Sequence, residues 1–156
     1  PCDLNELVRV ACELVGADVR LRRNAIELDL APDLPPVLAE AVHVEHAMMN
    51  LIVNALDAMR EVVEAGTVRI SSRAVSDTMA QVTVRDDGKG LKLGEQERVF
   101  EAFHTSRATG LGMGLTISRS IIEAHGGRLW AEPSSRGGIF HFTLPFAHAS
   151  PSLPRR

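Results

Sequence analysis

The sequence predicts a two-layer α/β sandwich: a mixed, mostly antiparallel sheet with helices on one face. Three observations predict it. Apolar residues change period in the order helix, strand, helix, strands, helix, strands. The strand pairs follow one another closely, as antiparallel neighbours do, which leaves the helices to cover the sheet. A chain of 156 residues, 45% apolar and 24% charged, suits one core.

Over residues 3–23, Leu4, Leu7, Val8, Ala11, Leu14 and Val15 share a helical face, and Asp3 with Glu6 forms a capping box. Ile26-Glu27-Leu28-Asp29-Leu30 alternates as a strand. Pro32, Pro35 and Pro36 end it, because each lacks a donor and restricts its predecessor. A long helix is expected over 40–64, stopping near Gly66. Residues 68–75 and 79–85 are β-branched or alternating and read as two strands. Irregular chain follows over 86–93, then a short helix over 95–102. The loop 103–110 is small and polar, so mobility is expected there. A helix over 111–125 stops at Gly126-Gly127, and strands over 128–131 and 138–146 flank a turn at 133–137. Residues 1–150 read as one domain and 151–156 as a flexible tail.

Composition excludes several functions. A net charge of −3 argues against a nucleic-acid surface. No apolar run approaches the ~18–20 residues of a membrane span, and no signal-peptide pattern is present. Direct membrane contact by this domain is therefore not expected. Cys2 and Cys12 have no His or Cys at metal-ligand spacing and read as thiols in a reducing, cytoplasmic setting. The chain opens on Pro1 rather than Met, so a piece of a longer protein is expected. His46, His104, His125 and His141 are scattered without a Ser or Cys partner, against a hydrolytic triad. Trp130 is assigned to the core.

Three segments carry chemistry. On the long helix, Asn50, Asn54 and Asp57 share one stripe, opposite Met48, Ile52, Ala55 and Met59. The bland reading is a solvated face. Two mid-helix Asn residues favour function instead, since Asn competes with helical backbone bonding. A carboxamide oxygen there suits magnesium, which takes hard oxygen ligands and bridges phosphates. At Asp86 a strand enters Gly88-Lys89-Gly90. An acceptor-only carboxylate matches the exocyclic amine of adenine and opposes the guanine carbonyl, and glycines let backbone approach a base. The alternative is an ordinary Asp-Gly turn. Gly110, Leu111, Gly112, Met113 and Gly114 lead into the helix at Leu115, offering N–H groups to phosphate. The alternative here is a hinge; a Rossmann unit is disfavoured because its glycines follow a strand directly. Arg107, beside Thr105 and Ser106, is either a surface charge or a phosphate clamp that arrives when the loop closes.

At these residues the chain resembles the catalytic and ATP-binding domain of bacterial sensor histidine kinases, in the gyrase/Hsp90/histidine-kinase/MutL ATPase superfamily. Residues 50–59 resemble its N box, 86–90 its Asp-x-Gly-x-Gly G1 box, 100–103 its F box and 110–115 its G2 box. The likeness covers about residues 3–146 and is nearest the nitrogen-regulation and oxygen-sensing branch. It implies the Bergerat ATP-binding fold and transfer of the γ-phosphate of Mg–ATP to a histidine. That histidine would lie on a separate two-helix dimerisation domain upstream of Pro1, in a full-length protein open to membrane anchoring. A response regulator would act downstream. By resemblance Asn54 is the magnesium ligand and Asn50 its phosphate- or water-side neighbour. Catalytic roles fall to Asn50, Asn54 and Arg107. The nucleotide would be held by Asn54, Asp57, Asp86, Gly88, Gly90, Phe103, Thr105 and the segment Gly110, Leu111, Gly112, Met113, Gly114 and Leu115. Residues 103–110 would be the ATP lid. Asp87, Lys89 and His104 depart from the usual Asn, Pro and Phe. Asp57 stands where other branches carry Lys, which raises the importance of Arg107. A serine kinase or gyrase-type ATPase on the same fold fits the F box and chain length less well. A degenerate regulatory module fits the intact boxes less well.

Overall fold

A computed structural model describes residues 1–60, 62, 64–101 and 114–148. In chain order the elements are α1 (Leu4–Leu14), α2 (Gly16–Leu21), β1 (Ala25–Leu30), α3 (Ala41–Met59), β2 (Thr67–Ala74) and β3 (Met79–Arg85). A single 3-10 turn (Arg98–Phe100) follows, then α4 (Gly114–Ala124), β4 (Leu129–Glu132) and β5 (Ile139–Pro145). The five strands form one sheet in the order β1-β2-β3-β5-β4. β1 runs parallel to β2, and every other neighbouring pair is antiparallel.

Register sorts the two faces. Ile70, Val84, Phe140 and Ala131 lie side by side across the sheet, as do Ser72, Val82, Phe142 and Leu129. These rows meet Met48, Ile52, Ala55 and Met59 of α3 in the core, all of them buried. The apolar stripe read from the sequence is thus the packing face. The alternate row, Ser71, Thr83, His141 and Trp130, points to the side that no described helix covers. Trp130 is therefore not a core residue. Leu129 and Ala131 take the inward positions of β4 and leave Trp130 half-buried against His141, with ring centroids 5.2 Å apart.

Three helices depart from expectation by several residues. The helix expected over 3–23 is two helices, because Val15 leaves helical geometry (φ −96, ψ 2) ahead of Gly16. Gly costs about 1 kcal/mol inside a helix. The predicted start does form: Asp3 caps α1 by accepting the N–H of Glu6. The long helix ends at Met59 rather than 64. Arg60 N–H turns to the Asp57 carbonyl and Val62 N–H to that of Met59, the tighter bonding of a closing turn. The helix expected over 95–102 contracts to the 3-10 turn, where Phe100 is drawn into the core edge-on to Phe140. The predicted lid (103–110), the start of the helix predicted from 111 and the expected tail (151–156) lie outside the described residues.

Candidate functional site

The site is organised by α3. Asn50, Asn54 and Asp57 are half-buried on its non-core side. Asn50 Nδ2 donates to the carbonyl of Gly114, the first residue of α4, at 3.4 Å. Ser118 Oγ donates to the same carbonyl at 2.9 Å and so anchors the start of α4. One turn beyond Asn54, the Ala58 carbonyl abuts Gly88, where a Cβ would lie 2.6 Å from it. Asn54 thus stands one turn from each glycine segment. Its carboxamide has no hydrogen-bond partner among the described residues, leaving its oxygen available to a hard cation. Asp57 Oδ1 accepts from Arg22 Nη1 at 2.7 Å.

Asp86 follows β3 and is only 6% exposed. Its Oδ1 accepts two backbone N–H groups, from Gly88 at 2.7 Å and from Gly138 at 2.9 Å. Oδ2 accepts none from the described residues, so one oxygen is held by the protein and the other is left for a donor. Burial pushes the Asp86 carboxyl above the ordinary carboxylate value. The two N–H groups pull against that shift, and neighbouring Asp87 adds to it. Asp87 behaves oppositely. The Thr67 N–H, bonded at 2.8 Å, and the Arg69 guanidinium at 3.0 Å hold its carboxyl below the ordinary value. It pins the turn after β3 to the start of β2.

The glycines of this turn make their close approaches to protein backbone. A Cβ on Gly90, at φ +76, would lie 2.0 Å from the Ser134 carbonyl, and one on Gly137 would lie 1.8 Å from that of Asp86. Gly138 faces the carboxylate itself, with a Cβ position 2.5 Å from Oδ2. An open groove of about 740 Å³ runs along residues 89–93 and 133–135. Asn50, Asn54 and Asp86 do not line it; of the described nucleotide-site candidates it reaches Gly90 alone.

The chain preceding the predicted lid is tied to α4. Thr116 Oγ1 donates to the Phe100 carbonyl at 2.6 Å. The Arg119 guanidinium lies 4.9 Å from the Phe100 ring centre and pairs with Glu123 and Glu97. Bonding to Glu123, then to Glu97, raises the Arg119 value further.

Of the residues singled out from sequence, Asn50, Asn54, Asp57, Asp86, Gly88, Gly90, Gly114 and Leu115 are described, and Leu115 packs partly buried on the core. Phe103, Thr105, Arg107, Gly110, Leu111, Gly112 and Met113 lie outside the described residues. Sequence reasoning missed Ala58, Gly138 and Arg22. The Gly137-Gly138 doublet was the available signal for the second, but it read as a turn and a strand start. Cys12 offers no nucleophile, since burial pushes its thiol up to about 11.

A sequence profile described as histidine kinase-, DNA gyrase B- and HSP90-like ATPase matches residues 39–148. The sensor protein FixL of Bradyrhizobium diazoefficiens is 40% identical over 145 residues, covering 92% of this chain and 28% of FixL. The chain thus spans under a third of that relative. The catalytic domain of histidine kinase ThkA, in a nucleotide-free form, superposes with a TM-score of 0.80 at 31% identity, covering 91% of each chain. ThkA is also solved in complex with the response regulator protein TrrA, at 29% identity and a TM-score of 0.77, covering 92% of this chain and 40% of that one. Full-length ShkA in complex with AMPPNP gives a TM-score of 0.82 at 28% identity, covering 98% of this chain and 32% of that one.

Proposed function

The chain belongs to the histidine kinase-, DNA gyrase B- and HSP90-like ATPase family, and from that premise we propose that it binds Mg–ATP along α3 and phosphorylates a histidine on a separate two-helix domain. A response regulator would then take the phosphate. The observation that carries this reading is the position of Asn54, a carboxamide with no hydrogen-bond partner among the described residues and one turn from both glycine segments. Oδ2 of Asp86, which no described residue uses, supports an adenine amine as its donor, with Gly88 and Gly138 N–H groups orienting the carboxylate. That full-length ShkA is solved in complex with AMPPNP supports a nucleotide as the ligand.

Magnesium suits this donor set: Asn54 would hold it together with phosphate oxygens, and it would neutralise charge gathering on the triphosphate. The chain's own residues position. Asp86 orients the base, Asn50 ties α3 to the start of α4, and the first N–H groups of α4 face the phosphates. Arg107, in the lid, would clamp the γ-phosphate. In the transfer an imidazole nitrogen bonds to the γ-phosphorus as the bridging P–O bond breaks. ADP leaves with the electron pair, and the ring releases its N–H proton. The chain therefore needs no nucleophile of its own.

The test is to incubate the chain with γ-labelled ATP, magnesium and a supplied two-helix histidine domain. Acid-labile, base-stable label on that domain is expected. Label on serine, or ATP hydrolysis without transfer, would instead indicate another member of the family. Absence of magnesium-dependent ATP binding by calorimetry would leave only a regulatory module.

A further inference from the structure

We propose that Thr116 is a positioning residue of the nucleotide site. Its hydroxyl fastens the start of α4 to the 3-10 turn at Arg98–Phe100, which holds the first N–H groups of α4 in place for the outer phosphates. The inference rests on the ATP reading above. Those N–H groups have no partner inside the helix and meet a phosphate productively only where the helix end is held. The ties to α3 are long. Asn50 Nδ2 reaches the Gly114 carbonyl at 3.4 Å, and Ser118 Oγ reaches the Ala47 carbonyl at 3.4 Å. Both distances are at the outer limit for a hydrogen bond. Thr116 Oγ1 donates to the Phe100 carbonyl at 2.6 Å, shorter than either. That carbonyl is one of those a closing 3-10 turn leaves without a helical partner.

One face of α4 grips the turn at both ends. Thr116, Arg119 and Glu123 follow one another at helical spacing and share that face. Arg119 donates to Glu97, the residue that opens the turn, at 3.1 Å and to Glu123 at 3.2 Å. Its guanidinium lies 4.9 Å from the Phe100 ring centre. Phe100 is buried and packs edge-on to Phe140 of β5, with ring centroids 6.1 Å apart. The turn is thus anchored in the core of the sheet, and Thr116 passes that anchoring to the first turn of α4. A hydroxyl inside a helix commonly bonds back to a carbonyl of its own preceding turn. Ser118 does so, to Gly114 at 2.9 Å, whereas Thr116 reaches out to another element.

Calorimetric titration of the parent, Thr116→Val and Thr116→Ser with Mg–ATP and with AMP tests this. Valine keeps the shape and removes the donor, while serine keeps the donor. For Thr116→Val, Mg–ATP binding should weaken about fivefold, as the loss of one ordinary hydrogen bond does, while AMP, lacking the outer phosphates, changes by less than about twofold. Thr116→Ser should bind Mg–ATP like the parent. The proposal is overturned if Thr116→Val binds Mg–ATP like the parent, if ATP and AMP weaken equally, as a merely structural role would have it, or if Thr116→Ser does not restore affinity. Thermal unfolding runs alongside. Should Thr116→Val unfold, Arg119→Met replaces it and releases the same turn from its other end. That variant must weaken Mg–ATP more than AMP, and an equal or absent loss overturns the proposal. A parent that binds no Mg–ATP refutes the ATP reading itself, a different outcome from a parent that binds while Thr116→Val matches it.

Discussion

Replacing Asp86 by Asn removes one charge from a site that is 6% exposed and leaves in place the carbonyl oxygen that accepts from Gly88 and Gly138. The second oxygen, which no described residue uses, becomes an NH2 group facing the amine of adenine. A hydrogen bond to a charged partner contributes about 1.5–3 kcal/mol, so ATP affinity should fall roughly 10- to 150-fold. Stability should move the other way. Burial raises the folded-state value of Asp86 above that of the unfolded chain. A group shifted in that direction stabilises below its unfolded value, and that stability is lost as pH rises through the folded value. At neutral pH the ionised Asp86 therefore opposes folding, and Asn does not. Asp87 is shifted downward, so its contribution is present above the unfolded value and lost as pH falls through the folded one. It does so in both proteins and largely cancels in their difference. Asp86→Asn should thus be at least as stable as the parent at pH 7, with the difference shrinking as pH falls through the Asp86 folded value. Calorimetric ATP titration and urea unfolding at pH 7 and pH 4 measure both effects. Equal ATP affinity would sink the adenine assignment. A neutral-pH loss of stability above about 1 kcal/mol would refute the desolvation argument and make the carboxylate a structural keystone.

Asn54→Ala should abolish the magnesium-dependent part of ATP affinity while stability holds or rises slightly, since Ala is the better helix former. Titration with and without magnesium decides, and a surviving increment places the ligand elsewhere. Gly138→Ala puts a Cβ 2.5 Å from Asp86 Oδ2. It should cost about 1–3 kcal/mol in urea unfolding, as overpacking does, and weaken ATP binding together with it; parent-like behaviour in both would show that this contact yields. His125 Nε2 accepts the N–H of Glu40 at 3.1 Å, at the start of α3, where no side chain of Glu40 caps the helix. His125→Ala should lower stability by about 0.5–2 kcal/mol, read from the urea midpoint, and an unchanged midpoint would refute a capping role.

Much of this was legible because the signals are local. Met48, Ile52, Ala55 and Met59 announce a packing face through helical period alone, and all are buried. Met79–Arg85 alternates as a strand with the predicted bounds. Asn50, Asn54 and Asp86 stood out because their residue types are costly where they sit. Boundaries were less legible where tertiary packing competes with propensity: the 3-10 turn at Arg98–Phe100 replaces a helix because Phe100 is pulled against Phe140. Trp130 was misassigned because alternation says that two faces exist, not which one the helices cover.

Sequence by itself determined the elements, the polar stripe of α3 and the family motifs, because helix and strand periods, caps and glycine turns act over a few residues. Only the tertiary structure decided which oxygen of Asp86 is held, since Gly138 lies 52 residues away. It likewise decided that Arg22 meets Asp57 across 35 residues. Those pairings follow from strand order and helix docking, which bring distant backbone and charge together in ways no local spacing encodes.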